Sequence, residues 1–275
     1  PVPNALARAV AGKDSVPQWS RDLPRGGSRR KEGVTGTAEI VYFHACVGTM
    51  FGPAEGGAGV AASFESLLAK AGVGAVRPEG IGSLCCGTPW KSKGITVGYA
   101  EMVERTVEAL WVASREGELR IVCDNSSCSE GLVHTLEKAA RPGLTIIDAV
   151  DFAAERLLPA LTVTASLAAI SVHPTCSSTR AGSNANLMAV ASAVADSATV
   201  PDDWGCCAFA GDRGMLHPEL TASATAREAA AIAEHDYDGY VSCNRTCELG
   251  MSRATGHQYQ HVLELLDAAS TPAVH

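Results

Sequence analysis

Short apolar runs alternate along this chain with stretches whose apolar residues recur at helical spacing. After residue 37 the pattern predicts strands at 39–43, 73–76, 119–122 and 145–147, separated by helices at 59–71, 96–114 and 129–139. The second half predicts strands at 168–172 and 239–242, an extended piece near Thr199, and helices at 186–195, 219–234 and 260–268. Strands joined by helices of this length form parallel sheets with right-handed crossovers. We therefore expect an α/β fold of two pseudo-twofold-related halves, each a small parallel sheet flanked by helices.

The beginning of the chain has a different composition. Residues 1–37 are rich in Pro, Gly, Arg and Ser, and their only apolar pattern lies around Leu6 and Val10. We therefore expect an N-terminal arm or linker at 1–37, a first module at 38–160 and a second module at 161–275. The longest uncharged stretch, 157–172, is too short and too polar to span a bilayer and is expected to be a helix end followed by a strand.

The net charge and the first residues of the chain limit the classes of partner and the cellular location that we expect. The formal net charge is −8, and no basic run extends beyond Arg29-Arg30-Lys31, so we do not expect a nucleic-acid partner. The chain begins Pro-Val-Pro, with no signal peptide and no initiator Met, which suggests a fragment of a larger protein. We expect it in the cytoplasm or at the inner face of the membrane.

The ten cysteines form two copies of one pattern: a lone cysteine, an adjacent pair, and a final close-spaced pair. The first set is Cys46, Cys85, Cys86, Cys123 and Cys128, and the second set is Cys176, Cys206, Cys207, Cys243 and Cys247. The lone cysteines are 130 residues apart and the last ones 119. A long repeat of this kind indicates duplication.

The predicted elements place the cysteines at one edge of each sheet. Cys46, Cys123, Cys176 and Cys243 each lie just past a predicted strand and before a helix. Sites in open α/β sheets lie at this carboxyl edge. Helix N-termini would also stabilise thiolates and an anionic cluster.

The number of cysteines favours a particular metal chemistry. Structural zinc takes four ligands and leaves a fifth thiolate without a role. A cluster of several irons can bind each thiolate on a different iron, so iron–sulfur chemistry fits five cysteines better. A disulfide between adjacent cysteines would be strained. Structural zinc, disulfides and buried free thiols remain the alternatives.

These motifs resemble a known family. The Cys85-Cys86-Gly87 and Cys206-Cys207-Ala208 pairs, each followed by a close-spaced pair, look like the duplicated cysteine-rich CCG domain found in heterodisulfide reductases and in the iron–sulfur subunit of glycolate oxidase. The likeness covers 38–275. Four segments most resemble the C-terminal region of bacterial FAD-linked oxidases and D-2-hydroxy-acid (D-lactate) dehydrogenases. They are CCAFAGDRGMLHPE at 206–219, NRTCELG at 244–250, and VPQW and DLPRG in the arm.

The resemblance implies a function, cofactors and partners. It implies one or two [4Fe-4S] clusters per chain, noncubane ones as in heterodisulfide reductases, with all ten cysteines as metal ligands and zinc as the alternative. It also implies an electron-transfer module of a flavin-linked oxidoreductase of the 2-hydroxy-acid dehydrogenase type, which by itself is not a complete enzyme. FAD would lie on a flavin-containing and ferredoxin-type partner domain or subunit, and a quinone or carrier protein would accept the electrons. The alternatives are a heterodisulfide or thiol–disulfide reductase and a zinc-stabilised docking module.

Several other residues near the cysteines admit two interpretations. His44 and His173 either contact a metal group or satisfy a backbone hydrogen bond at a strand end. Ala208 replaces the glycine of the motif, so we expect its loop to lack a left-handed conformation. Charged residues near the second set either dock a partner or form ion pairs within the chain: Asp212, Arg213, Arg245 and Glu248. Lys91 and Lys93 either form a weak anion site or are simply solvated.

Overall fold

A computed structural model describes residues 2–273 of the chain. Its strands are β1 (Gly33–Thr35), β2 (Ala38–Phe43), β3 (Gly74–Arg77), β4 (Arg120–Cys123), β5 (Ile146–Asp148), β6 (Leu161–Val163), β7 (Leu167–Val172), β8 (Ala195–Thr199), β9 (Gly239–Ser242), β10 (Tyr259–His261) and β11 (Ser270–Pro272). Its helices are α1 (Val2–Ala11), α2 (Val47–Met50), α3 (Val60–Lys70), α4 (Thr88–Ser92), α5 (Thr96–Ala113), α6 (Ser126–Ala139), α7 (Ala149–Phe152), α8 (Cys176–Ala181), α9 (Asn184–Ala193), α10 (Arg213–Leu216), α11 (Pro218–Ala233), α12 (Arg245–Thr255) and α13 (Val262–Ala269).

Two sheets organise these elements. The first has the order β1-β3-β2-β4-β5, in which only β1 is antiparallel to its neighbour. The second has the order β10-β9-β7-β8 and is parallel throughout. In both sheets the first long strand of the half is central, the next strand lies on one side, and the last two lie on the other. The prediction of an α/β fold with two repeated halves is confirmed.

Burial explains why the central strands form. Five of the six residues of β2 are buried, and all four residues of β9 are buried. Parallel strands covered by helices on both faces have such nearly continuous apolar stretches.

One hydrophobic core extends across both halves. Phe64 and Leu67 of α3 belong to the same buried cluster as Leu187 of α9 and Leu263 of α13. Gly59, just before α3, donates its N–H to Glu264 Oε2 at 2.8 Å. The two sheets are therefore joined by packed apolar side chains as well as by the connecting chain.

The predicted elements agree with the structure in most places. The predicted helices 59–71 and 219–234 correspond to α3 and α11, and the extended piece near Thr199 is β8. The uncharged stretch 157–172 begins at the last residue of a π-helix (Ala153–Leu157) and continues through a 3₁₀ helix (Leu158–Ala160). Strands β6 and β7 follow. The sequence did not predict α12, whose first turn contains the polar residues Arg245, Thr246 and Glu248.

The N-terminal segment is more ordered than its composition suggests. It contains α1 and β1, and β1 extends the first sheet by pairing with β3. Farther along, Gln18 donates its N–H to Met215 O at 2.7 Å, and Asp22 pairs with Arg253 at 2.6 Å. The arm therefore lies along the second half before it reaches the first.

Within residues 2–273, every helix is too short or too polar to traverse a bilayer.

Candidate metal centres

Both cysteine sets lie at the carboxyl edges of the sheets, as predicted. Cys46 follows β2 and precedes α2, and Cys123 is the last residue of β4. Cys176 begins α8, while Cys243 directly follows β9. The repeated fold thus brings each set to one end of its own sheet.

The five thiols of the first set form one continuous group. Each thiol lies near enough to a neighbour to shift its pKa, in the series Cys46 with Cys85, Cys85 with Cys86, Cys86 with Cys128, and Cys128 with Cys123. The Cys86, Cys123 and Cys128 side chains are buried, while Cys46 and Cys85 are partly exposed. The group is therefore closed toward the protein interior and open along one side.

The electrostatics of the first set favour neutral thiols unless a cation binds. The hydrogen bond to Cys128, together with burial, raises the pKa of Cys86, and the contact with Cys85 raises the pKa of Cys46. Burial likewise raises the pKa of Cys123. Neighbouring thiolates repel one another in a low-dielectric site, so a bound metal is needed to ionise them together.

Small residues leave room beside the adjacent pair. Gly87 has φ +86°, and a Cβ at this position would lie 2.5 Å from Tyr99 Cε2. A Cβ at Gly131 would lie 3.1 Å from Cys86 Sγ and 2.2 Å from Thr88 Oγ1. Glycine is required at both positions for Cys86 to keep its place.

Polar contacts to the backbone fix this loop. Thr106 Oγ1 donates to Cys85 O at 3.0 Å, and Thr135 Oγ1 donates to Cys86 O at 2.9 Å. The carbonyls of the adjacent pair are therefore bonded, which leaves both thiols free to turn toward the other cysteines.

Two charged residues hold the first set together, and the sequence analysis missed both. Asp124 is buried and accepts hydrogen bonds from Ala45 N at 2.8 Å and Tyr42 Oη at 2.6 Å, which fixes the chain beside Cys46. Arg30 donates to Leu84 O at 2.8 Å and to His44 O at 3.3 Å, so it connects the two cysteine loops. An acid that ends an apolar strand, as Asp124 does, is a usable sequence signal, whereas an arginine in a polar arm is not.

The second set is divided into three parts. Cys207 Sγ lies 2.9 Å from Cys247 Sγ, while Cys176 contacts the exposed Cys206. Cys243 is buried, and Thr175 Oγ1 lies 3.8 Å from its sulfur. The structure thus brings the second set to one edge without making the single chain of thiol contacts found in the first.

A histidine joins the second set. His173, Cys207 and Cys247 each place one possible ligand atom within 4.8 Å of the ligand atoms of the other two, and all three residues are buried. His173 Nδ1 lies 2.7 Å from Glu228 Oε1. The other strand-end histidine, His44, stacks against Tyr42 with 6.0 Å between ring centroids.

The protonation states in this group are coupled. Contact with the Cys247 thiol lowers the pKa of Cys207 to about 5, with His173 contributing. Burial opposes the charged form of His173, but the neighbouring Cys207 thiol and Glu228 carboxylate outweigh it and raise its pKa to about 9. Without metal, the pair is therefore a thiolate beside an imidazolium, and a metal cation that displaces the proton would meet a thiolate and a neutral imidazole as ligands.

The loop after the second adjacent pair keeps a left-handed backbone without glycine. Ala208 has φ +51° and Ala210 has φ +42°, so the expectation that this loop lacks a left-handed conformation is wrong. Ala208 donates its N–H to Cys206 Sγ at 3.4 Å. The hydrogen bond to sulfur offsets part of the steric cost of the alanine Cβ.

Most of the charged residues singled out near the second set pair within the chain. Arg245 and Glu248 form a buried ion pair at 2.8 Å, and Arg245 also donates to Gly52 O at 2.6 Å. Asp212 pairs with Lys93 at 2.9 Å across the two halves. The structure therefore supports the interpretation of Arg245, Glu248, Asp212 and Lys93 as members of internal ion pairs, not as docking groups or an anion site.

The two centres meet at the contact between the halves. Ser126 donates its N–H to Cys243 O at 3.2 Å, and Ser126 Oγ lies 2.8 Å from Thr175 Oγ1. Ser127 Oγ donates to Asn244 Oδ1 at 2.9 Å. A short path of backbone and hydroxyl groups therefore connects the first cysteine set with the second.

The cysteine donors fit a metal group. All ten cysteines lie within the described residues, and all are free of disulfides. Their mutual contacts, the glycine cradle beside Cys86, and the buried His173 Nε2 without a hydrogen-bond partner match a site built for thiolate and imidazole ligation. The cysteine and histidine cluster therefore indicates metal binding, with zinc and iron–sulfur groups both compatible.

Comparison with known proteins agrees with this geometry. The model of the CCG cysteine-rich domain matches residues 40–132 and 170–252, which together span more than half of the chain and contain all ten cysteines. A search of curated proteins gives no match. The chain therefore belongs to the CCG cysteine-rich domain family and carries one copy of the domain in each half.

Proposed function

We propose that this chain is an iron–sulfur electron-transfer module of a flavin-linked oxidoreductase of the 2-hydroxy-acid dehydrogenase type. The observation that carries the proposal is that the first set gathers five free thiols at one sheet edge, each near enough to another to shift its pKa. A tetrahedral zinc ion would leave one of these five without a bond, whereas several irons can take one thiolate each.

The ten cysteines are the candidate ligands, five in each half. Residues 38–160 and 161–275 are the two proposed modules, and residues 1–37 are the arm that spans them. When bound, an iron–sulfur cluster accepts and releases one electron at a time. Free thiols favour a reducing compartment, and we place the protein in the cytoplasm or at the inner face of the membrane.

The chain's own groups would set the redox properties. Ala208 donates an N–H to Cys206 Sγ, and burial of Cys86, Cys123 and Cys128 excludes water from the inner side of the first centre. Hydrogen bonds to sulfur and limited solvent access are the means by which proteins tune cluster potentials. The partly exposed Cys46 and Cys85 give the first centre an accessible edge for electron exchange.

The proposed electron path begins and ends outside the chain. A reduced flavin on a partner domain or subunit that also carries a ferredoxin-type cluster would supply the electrons, and a quinone or carrier protein would accept them. The flavin link depends on the sequence resemblance at 206–219 and 244–250. Photoreduced flavin should reduce the anaerobically purified, metal-loaded chain, and a soluble quinone should reoxidise it; a metal-loaded chain inert to both contradicts the electron-transfer role.

The deciding experiment measures iron, zinc and acid-labile sulfide per chain after purification without oxygen. About four irons and four sulfides per occupied site are expected. Cys86→Ser and Cys247→Ser should each remove one centre and leave the other, so each variant is the control for the other. Stoichiometric zinc without sulfide would contradict the proposal and favour a zinc-stabilised docking module.

A second candidate function is the reduction of a disulfide substrate. The observation that favours it is the low pKa of Cys207, about 5, beside Cys247 Sγ at 2.9 Å, with the exposed Cys206 next to it. A thiolate of low pKa is the reactive form in thiol–disulfide exchange. Reduction of one equivalent of a heterodisulfide by the metal-free chain, with oxidation of Cys207 and Cys247 to a disulfide and loss of the reaction in Cys207→Ser, would favour this function over simple electron transfer.

A further inference from the structure

The two halves differ in one buried polar pair. In the second half the α11 carboxylate of Glu228 contacts His173 Nδ1 at 2.7 Å, and the two side chains are 2% and 1% exposed. In the first half the buried residues of the corresponding long helix α5 are Val103, Thr106, Val107 and Leu110. The described part of α5 therefore offers no buried carboxylate that could orient His44.

The Glu228 contact determines which ring nitrogen of His173 is free. With Nδ1 bonded to the carboxylate, Nε2 is the nitrogen available to Cys207 and Cys247. Nε2 is buried and has no hydrogen-bond partner among the described residues, as is also true of His44 and His261, but only His173 has two cysteine sulfurs beside it. A buried nitrogen without a partner is costly unless something binds it.

This arrangement matches the way in which proteins prepare a histidine ligand. A metal-binding histidine commonly bonds a carboxylate through its other ring nitrogen, which fixes the ring orientation and strengthens the ligand. The Glu228 carboxylate lies on one side of the His173 ring. On the other side lie the sulfurs of Cys207 and Cys247, which are 2.9 Å from each other.

The surroundings of Cys243 add an independent observation. Its sulfur lies 3.8 Å from Thr175 Oγ1, and hydrogen bonds from Thr175, Ser178 and Ser126 act on it. Cys243 is thus surrounded by hydroxyls, while His173 occupies the space beside the Cys207 and Cys247 thiols. The donor set of the second half therefore differs from the all-thiol contact chain of the first.

We propose that His173, oriented by Glu228, is a ligand of the metal group in the second half through Nε2, so that the chain carries one all-thiolate centre and one mixed thiolate–imidazole centre. A neutral imidazole ligand in place of a thiolate raises the reduction potential of an iron–sulfur group. Electrons entering at the first centre would then pass to the second. This inference rests on the proposed function for its redox consequence, but the ligation itself holds for zinc as well as for iron.

The test is electron–nuclear double resonance spectroscopy of the reduced, iron-loaded full chain in which all histidines are labelled with ¹⁵N. The wild type should show a nitrogen bonded directly to the metal group. His173→Gln should lose this signal, while His44→Gln, the matched change in the first half, should keep it. A wild type without the signal, or a His173→Gln variant that retains it, would overturn the proposal.

Further variants separate ligation from folding. Glu228→Gln keeps the size of the side chain, and it should weaken metal retention by the second half about 10- to 100-fold in competition with a chelator. His173→Cys should bind metal and lower the potential of the second centre, because an anionic sulfur replaces a neutral nitrogen. Equal metal retention and an unchanged potential in these variants would contradict a ligand role.

The outcome remains separable from that of the proposed function. If iron and sulfide are absent, the electron-transfer function fails, and the same ¹⁵N measurement on the Co²⁺-substituted chain tests His173 alone. If iron and sulfide are present but no nitrogen is bonded to metal, the inference about His173 fails while the electron-transfer function remains.

Discussion

Asn125 and Asn244 occupy equivalent positions in the two halves and have nearly the same backbone conformation. Their φ and ψ are −152° and 117° in Asn125, and −154° and 119° in Asn244. Asn125 lies two residues after Cys123, the last residue of β4, and Asn244 directly follows Cys243 beyond β9; each is the N-cap of the helix that contains the last cysteine of its set. The backbone at this helix start is therefore alike in the two halves, although four residues separate Cys123 from Cys128 and three separate Cys243 from Cys247.

The loops after the two adjacent cysteine pairs provide a matched pair of substitutions. Gly87→Ala places a Cβ 2.5 Å from Tyr99 Cε2 at φ +86°, so unfolding should become easier by about 1 to 3 kcal/mol. Ala208→Gly removes a Cβ at φ +51° and should be neutral or stabilising by up to about 1 kcal/mol. Urea unfolding of the metal-free chain measures both, and equal losses in the two variants would contradict the strain assigned to Ala208.

The buried ion pair between Arg245 and Glu248 should be sensitive to the loss of one partner. Arg245→Met leaves the Glu248 carboxylate buried without its cation, which costs about 3 to 5 kcal/mol when a pair of this kind is broken. Burial already raises the pKa of Glu248 to about 7, so the loss should be smaller near pH 5, where the carboxyl is protonated. The measurement is chemical unfolding, at both pH values, of Arg245→Met and of the double variant that combines Arg245→Met with Glu248→Gln. The double variant should recover most of the lost stability at neutral pH.

Asp148 should make the stability of the metal-free protein fall as the pH rises. Burial raises the pKa of this carboxyl from 3.8 to about 7, although Ser129 Oγ donates to it at 2.6 Å. Between these values the unfolded chain has released the proton and the folded chain still holds it, so stability decreases from about pH 4 to about pH 7. Asp148→Asn should flatten the decrease, which chemical unfolding at several pH values can measure. An unchanged slope would exclude Asp148 as its source.

Arg30 should affect the first centre and leave the second unchanged. Its guanidinium joins the carbonyls of His44 and Leu84, and Arg30→Gln cannot span both. The first centre should lose metal to a chelator about tenfold faster, at the lower end of the range for residues that support metal ligands. Arg29→Gln is the matched control because Arg29 is exposed on the same segment. A similar effect of both changes would point to net charge instead of loop support.

The sequence predicted the parts of this fold that depend on repeating apolar patterns. Strand β9 was predicted with its exact bounds, and α3 and α11 within one residue at each end. Helix α12 was missed because its first turn is polar and is buried through the pairing of Arg245 with Glu248, which a periodicity of apolar residues does not detect.

The candidate centres were predicted unevenly for a similar reason. Cysteines are recognisable by residue type, and their position after strands follows from the order of the elements. The partnership of His173 with Glu228 joins residues 55 positions apart, and no local pattern reveals it. The left-handed Ala208 was also unpredictable, because its conformation depends on the loop as a whole and not on the preference of alanine.

The N-terminal arm has a consequence for the order in which the protein can form. Arg8 donates to Leu216 O at 2.9 Å, and Asp22 binds Arg253, so the arm is made first but its binding surface is made more than 200 residues later. During synthesis the arm must wait without partners until the second half has emerged from the ribosome and folded. Formation of its contacts is therefore a late event that follows the folding of the second half.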